Sequence, residues 1–279
     1  MKLSYRAIAI ALASILAACS NGGTLPASQH GVWQTAPMTF RVVVPAAQSQ
    51  SQRRKPAYVS AATQSVAFAL TSWNGTAQSP APTTVVSLVP GTNCTGSPLV
   101  CTVTSSEPIG SDSFTVSTFA NTTGTGTPLS TNSVNYSVAS GSNSISVTLN
   151  GVVNSLAFSP ASVSCPSAST ACTTSAALEA LDASGDVIVG SGSYVDASNN
   201  TDTISYTCQT GLTAENSTGG TATTPFSSPT YNNMTQVVYA ANGTTAGSSL
   251  TCSASDTLGH TATYTDSIAA AGTVNWTIQ

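Results

Sequence analysis

The chain has 279 residues, and only 6% of them are charged, against about 25% in an average soluble domain. Six Lys and Arg against ten Asp and Glu give a formal net charge of −4, and all the basic residues (Lys2, Arg6, Arg41, Arg53, Arg54 and Lys55) lie at or before position 55. Every acidic side chain lies after it, where His260 is the sole basic residue. That segment has no Lys or Arg ion pair and no basic patch, which excludes nucleic acid and an anionic membrane surface as its partners.

Hydrophobic residues make up 41% of the chain, enough for a core, so folding must rest on apolar burial, backbone hydrogen bonds and disulfides. A surface of Ser, Thr and Asn keeps its charge nearly constant as the pH falls, and tolerance of acid is the expectation.

Met1 to Arg6 is a positively charged start, and Ala7 to Leu16 is an apolar run broken only by Ser14. The run is too short for a bilayer span of about 20 residues, and its flanks are those of a secretory signal. It closes on Leu16-Ala17-Ala18-Cys19, which resembles the lipobox of bacterial lipoproteins. That resemblance implies that residues 1–18 are removed as a signal peptide. It also implies that Cys19 becomes the first residue, with palmitate-type acyl chains as its membrane partner. Ser20, rather than Asp, after the cysteine resembles the outer-membrane class, with the protein facing the periplasm or the cell surface. At about 0.8 kcal/mol per buried methylene, two or more chains anchor stably.

Residues 19–37 read as a Gly-, Ser- and Pro-containing tether with an idle His30. Met38 to Pro45 alternates as a strand with Phe40, Val42 and Val44 on one face. Ala46 to Pro56 is a polar loop holding Arg53, Arg54 and Lys55. Gln64 to Trp73 sets Val66, Phe68 and Leu70 against small residues and places Trp73 on the opposite face. Asn74-Gly75 then supplies a turn. Thr83 to Val89, Cys101 to Thr104, Ser113 to Ala120, Val134 to Val138 and Ile145 to Leu149 continue the set. Turns recur every 8–12 residues, the signature of an antiparallel sandwich.

Asn150-Gly151 marks the expected domain boundary, dividing residues 38–150 from 151–279. The second set comprises Val152 to Phe158, Ala176 to Leu181, Val187 to Val189, Thr203 to Cys208, Gln236 to Ala240, Leu250 to Ala254, Thr261 to Thr265 and Thr273 to Ile278, with Trp276 in the core. No stretch shows a sustained helical period. The expected fold is all-β, two tandem antiparallel β-sandwiches. The pattern, with the hairpin of Glu179 to Asp186, resembles bacterial immunoglobulin-like domains.

The seven cysteines lie at 19, 94, 101, 165, 172, 208 and 252. Lipidation of Cys19 leaves an even set of six, which allows 15 connectivities. Locality selects Cys94–Cys101 and Cys165–Cys172, and Cys208–Cys252 remain for the second domain. Closing the two short loops contributes about 2.5 kcal/mol each and the long one about 4 kcal/mol. Oxidised bridges fit an export compartment. Without a C-x-x-C pair, zinc fits poorly.

No nucleophile elbow, phosphate loop or zinc-protease motif occurs, so no catalytic residue and no cofactor are expected. Asp256 and His260 lie four apart, a spacing that chance explains; His260 reads as a turn residue. Glu179 and Asp182 read as solvated acids flanking a hairpin. No resident metal is expected. Asp182, Asp186, Asp196 and Asp202, with Asn199 and Asn200, are the loop oxygens from which a calcium site could be built, but their spacing lacks the EF-hand's Gly and Glu. Trp73, Tyr194, Tyr231 and Tyr239 are the aromatics that could stack on a sugar; packing between sheets is the commoner role. The expected function is a non-catalytic, lipid-anchored envelope protein with a structural, adhesive or ligand-binding role, its ligand a carbohydrate or a protein. A carbohydrate-acting or other hydrolytic lipoprotein is the alternative.

Overall fold

The computed structural model describes residues 34–45, 59–159, 161–165, 174–189, 192–209, 212–215, 221–222, 226–228, 236–239 and 249–268. The leader, Cys19, the Arg53–Lys55 loop, Cys172, Tyr231 and Trp276 lie outside these residues, as does the Cys165–Cys172 pairing.

The strands are β1 (Thr35–Val44), β2 (Ser65–Trp73), β3 (Thr76–Ala77), β4 (Thr83–Ser87), β5 (Cys94–Thr95), β6 (Leu99–Pro108), β7 (Gly110–Phe119), β8 (Ser130–Val138), β9 (Asn143–Ile145) and β10 (Asn150–Val152). There follow β11 (Ser155–Ser159), β12 (Ser162–Cys165), β13 (Thr174–Leu181), β14 (Tyr194–Val195), β15 (Ile204–Cys208), β16 (Leu212–Glu215), β17 (Thr221–Ala222), β18 (Phe226–Ser228), β19 (Gln236–Tyr239), β20 (Ser249–Ser255) and β21 (Thr261–Ile268). The fold is all-β.

In the first half, a sheet in the order β5-β6-β1-β9 faces one in the order β14-β10-β8-β7-β2-β3, with β4 also paired to β2. Alternation decides which side chains meet between them. From β1 come Ala36, Met38, Phe40 and Val44; from β2 come Val66, Phe68 and Leu70; from β7 come Phe114 and Val116, all buried. The Phe40 and Phe68 rings stack across the gap with centroids 3.9 Å apart. Each fully buried side chain of this size contributes about 1.5–3 kcal/mol. In the second half, the sheets run β11-β13-β19-β16-β17 and β12-β21-β20-β15-β18, and β11 lies against β21.

Two expected disulfides are present, Cys94–Cys101 and Cys208–Cys252. Both are direct cross-strand partners. Each has a hydrogen-bonded pair beside it: Thr102 N–H donates to Asn93 O at 2.9 Å, and Gln209 N–H donates to Thr251 O at 3.0 Å. The cysteines therefore occupy non-hydrogen-bonded sites, where side chains of an antiparallel pair come closest, and both Cα–Cα distances are 4.0 Å.

Two expectations are corrected. Thr35–Pro37 belong to β1, with Ala36 buried, so the chain becomes ordered strand three residues before the expected end of the tether. Trp73 does not lie opposite the core face. The register of β2 against β7 shifts between Leu70 and Ser72, and Trp73 is paired with the inward-facing Asp112; the bulge adds a residue and turns the indole over.

Asn150-Gly151 opens strand β10. It pairs with β8 and, in parallel, with β14 from the second half. A Cβ on Gly151 would lie 2.2 Å from Ile188 Cγ2, so the glycine serves close approach within a strand. Asn150 Oδ1 accepts from Ser193 N–H at 3.2 Å, and Ser60 Oγ donates to Asp186 Oδ2 at 2.6 Å.

Gly151→Ala should therefore cost about 1–3 kcal/mol through overpacking against Ile188. In thermal denaturation of the full chain, adding Ile188→Ala should return part of that loss. Unchanged stability in Gly151→Ala would contradict the contact.

Candidate functional site

Asp182-Ala-Ser-Gly185-Asp186, Asp196-Ala-Ser-Asn199-Asn200 and Asp256-Thr-Leu-Gly259-His260 fold alike. In each, the first Asp Oδ1 accepts from the backbone N–H groups two and four residues on: Ser184 and Asp186 at 2.8 and 3.0 Å, Ser198 and Asn200 at 2.8 and 2.8 Å, Leu258 and His260 at 3.0 and 2.8 Å. The Asp N–H donates to the carbonyl four residues on. The fourth position is left-handed, with φ of 81° at Gly185, 65° at Asn199 and 94° at Gly259, a conformation open to Gly and Asn. Asn121 caps Thr123 and Thr125 in the same way, with Gly124 at φ 65°. An Asp or Asn, two residues, then Gly or Asn is the sequence signal for this turn, and sequence reasoning passed over it.

The turn at 256–260 joins β20 to β21 and carries a side-chain cluster. His260 Nδ1 lies 2.5 Å from Asp256 Oδ2, with 31% of the imidazole exposed and the Asp256 side chain fully buried. The two residues thus meet through the turn itself. Asp202, just before β15, accepts at Oδ1 from Thr257 N–H at 3.0 Å and from Thr257 Oγ1 at 2.5 Å. Burial first, and then the neighbouring Asp256, push the Asp202 carboxyl above the usual range against the hydrogen bonds from Thr257. At Asp196, burial acts upward, but hydrogen bonds from Asn200 and Ser198 outweigh it and hold the carboxyl low.

The calcium candidates do not converge. The Oδ1 atoms of Asp182 and Asp196 serve turn amides, Asp186 accepts from Ser60, and Asp202 accepts from Thr257. Among the described residues, no three His, Cys, Asp or Glu side chains come together as a metal site. Glu179 and Asp182 are not solvated as expected; they are 7% and 1% exposed. Asp182 is drawn inward because its carboxylate organises the turn beneath it, and Glu179 stands among the buried positions of β13. Two of the aromatics are committed too: Trp73 Nε1–H donates to Ile109 O at 3.2 Å, and Tyr194 is fully buried.

Chemically, a carboxylate at Nδ1 orients the imidazole. Among the described residues, no serine or threonine hydroxyl hydrogen-bonds the His260 ring.

No protein-family model matches the chain, and no curated protein matches it. Among solved structures, a beta-glycosidase from Bacteroides vulgatus is similar at 11% identity and a TM-score of 0.27, over 83% of this chain and 24% of that one. The full-length major pilin SpaD from Corynebacterium diphtheriae is similar at 8% identity and 0.30, over 84% and 66%. The Yersinia pseudotuberculosis adhesin InvE is similar at 15% identity and 0.23, over 84% and 58%. The chain spans less than two thirds of the length of each of these proteins. Scores this low carry no argument about function.

Asp256→Ala strips three acceptor contacts from the turn and should cost on the order of 2–3 kcal/mol in urea denaturation. His260→Ala should cost about 1 kcal/mol or less. Equal losses would contradict a turn held chiefly by Asp256.

Proposed function

We propose that the protein is a non-catalytic, lipid-anchored component of the bacterial outer membrane. Its all-β body displays a structural, adhesive or ligand-binding surface to the periplasm or the cell exterior. The observation that carries this reading is Leu16-Ala17-Ala18-Cys19 at the end of a short apolar run. Cysteine use supports it: with Cys19 given to lipid, the count is even, and Cys94–Cys101 and Cys208–Cys252 are bonded, as befits an oxidising compartment. Among the described residues, no helix is long and apolar enough to cross a membrane.

The outer surface of the seven-stranded sheet suits display. Ser113 pairs with Asn135 at 2.7 Å and Thr115 with Ser133 at 3.3 Å, a side-chain ladder without charge. The hydrolytic alternative has one observation in its favour, the imidazole of His260 oriented on Asp256.

Cells expressing the full chain should incorporate labelled palmitate into it and hold it in the detergent phase of a phase-separation assay. Cys19→Ser should lose both. Palmitate labelling that survives this substitution would overturn the reading.

A further inference from the structure

Glu107 ends the inward row of β6 and is 6% exposed; Asp112 begins the inward row of β7 and is 1% exposed. Only the corner at Ile109 separates the two strands, so both carboxyls enter the same end of the first sandwich, from opposite sheets. Glu107 has a donor, the Ser105 hydroxyl. Asp112 has none: neither Oδ1 nor Oδ2 has a hydrogen-bond partner.

Among the described residues, the neighbours supply no positive charge. Against β7 lie β2 and β8, which carry no acid or Lys, Arg or His; the residues paired with Asp112 are Trp73 and Tyr136. The Tyr136 hydroxyl is engaged, donating to Ser144 O at 3.2 Å. From the facing sheet, β6 contributes only Glu107, and β9 contributes nothing charged. On β1 the sole charged residue is Arg41, exposed on the outer face beside Thr102. An ionised carboxylate buried without donor or countercharge is strongly disfavoured.

We propose that Glu107 and Asp112 form a proton-holding pair, which binds this end of the first sandwich together in acid and loosens it as the pH rises to neutral. In the acid form, Asp112 keeps its proton and is neutral. Loss of that proton to solvent adds a second negative charge at the end of the core that Glu107 also enters. Burial, and secondarily Glu107, push Asp112 up to about 6 from 3.8; burial raises Glu107 too, against the Ser105 bond. An acid whose folded value is raised stabilises fully below its unfolded value, and that contribution is lost as the pH climbs through the folded value. The window therefore runs from about 4 to about 6, and stability falls upward through it. A metal ion is the other possible neutraliser, but the described residues offer no third His, Cys, Asp or Glu ligand.

The test is thermal denaturation of the full chain between pH 4.5 and 7.5, beside Asp112→Asn, a neutral isostere. The unfolding constant of the native sequence should rise by about a hundredfold from this group across its window. Asp112→Asn should match the native sequence at pH 4.5 and melt several degrees above it at pH 7.5. A difference between the two that is independent of pH would overturn the proposal. So would a native melting temperature at pH 7.5 that calcium or magnesium raises while leaving Asp112→Asn unchanged, since a cation would then be the partner. Should Asp112→Asn fail to fold, carbon-detected NMR of the native chain reads the Asp112 carboxyl directly. A midpoint near 6 supports the pair, and one below 4.5 overturns it.

Discussion

No Lys or Arg follows Lys55, yet the carboxyls that follow it are not left in water. Glu107, Asp112, Glu179, Asp182, Asp202 and Asp256 are all buried. In most proteins such groups would be paired with a cation or kept at the surface. Among the described residues, three other devices serve several of them: backbone amides, hydroxyls and protons. Asp182, Asp196 and Asp256 take amides, each by folding the chain into a tight turn around its own Oδ1. Asp186, Asp202 and Glu107 take hydroxyls, from Ser60, Thr257 and Ser105. Asp112 takes neither, and a proton is what remains.

The same economy of charge shapes the sheets. Cross-strand ion pairs are replaced by hydroxyl and amide pairs, such as Ser72 with Ser113 and Ser113 with Asn135, on the seven-stranded sheet. One such pair, Thr118 with Ser130 at 2.6 Å, is buried outright. Neutral pairs of this kind contribute about 1 kcal/mol each and are indifferent to salt. They leave the pH response of the fold to its few buried acids. The disulfides at Cys94–Cys101 and Cys208–Cys252 reinforce strand pairs that lack any electrostatic clamp.

Much of the fold was legible because period-two alternation is a local signal. Val66, Phe68 and Leu70, or Phe114 and Val116, announce a buried face wherever the strand lies. What escaped was set by residues far apart in the chain. The bulge after Leu70 reversed Trp73, and no composition marks it. Asn150-Gly151 carries the letters of a turn, but Ile188, nearly forty residues later, needs the missing Cβ for contact. Strand β14 is two residues long and exists through its partner β10. Glu179 and Asp182 were read as solvated from residue type alone, whereas Asp182 is buried with the turn it caps and Glu179 with the inward positions of β13. Those turns were within reach of the sequence, since Asp182, Asp196 and Asp256 each stand three residues before a Gly or Asn.

Burial raises three carboxyls, Glu107, Asp112 and Asp202, above their usual range, so folding must take protons up rather than release them. Potentiometric titration of the native chain and of the urea-unfolded chain, disulfides intact, compares the two states directly. Near pH 5 the native state should hold about one or more extra protons per molecule. A native state holding fewer protons than the unfolded chain, as in proteins whose acids are salt-bridged, would contradict the account.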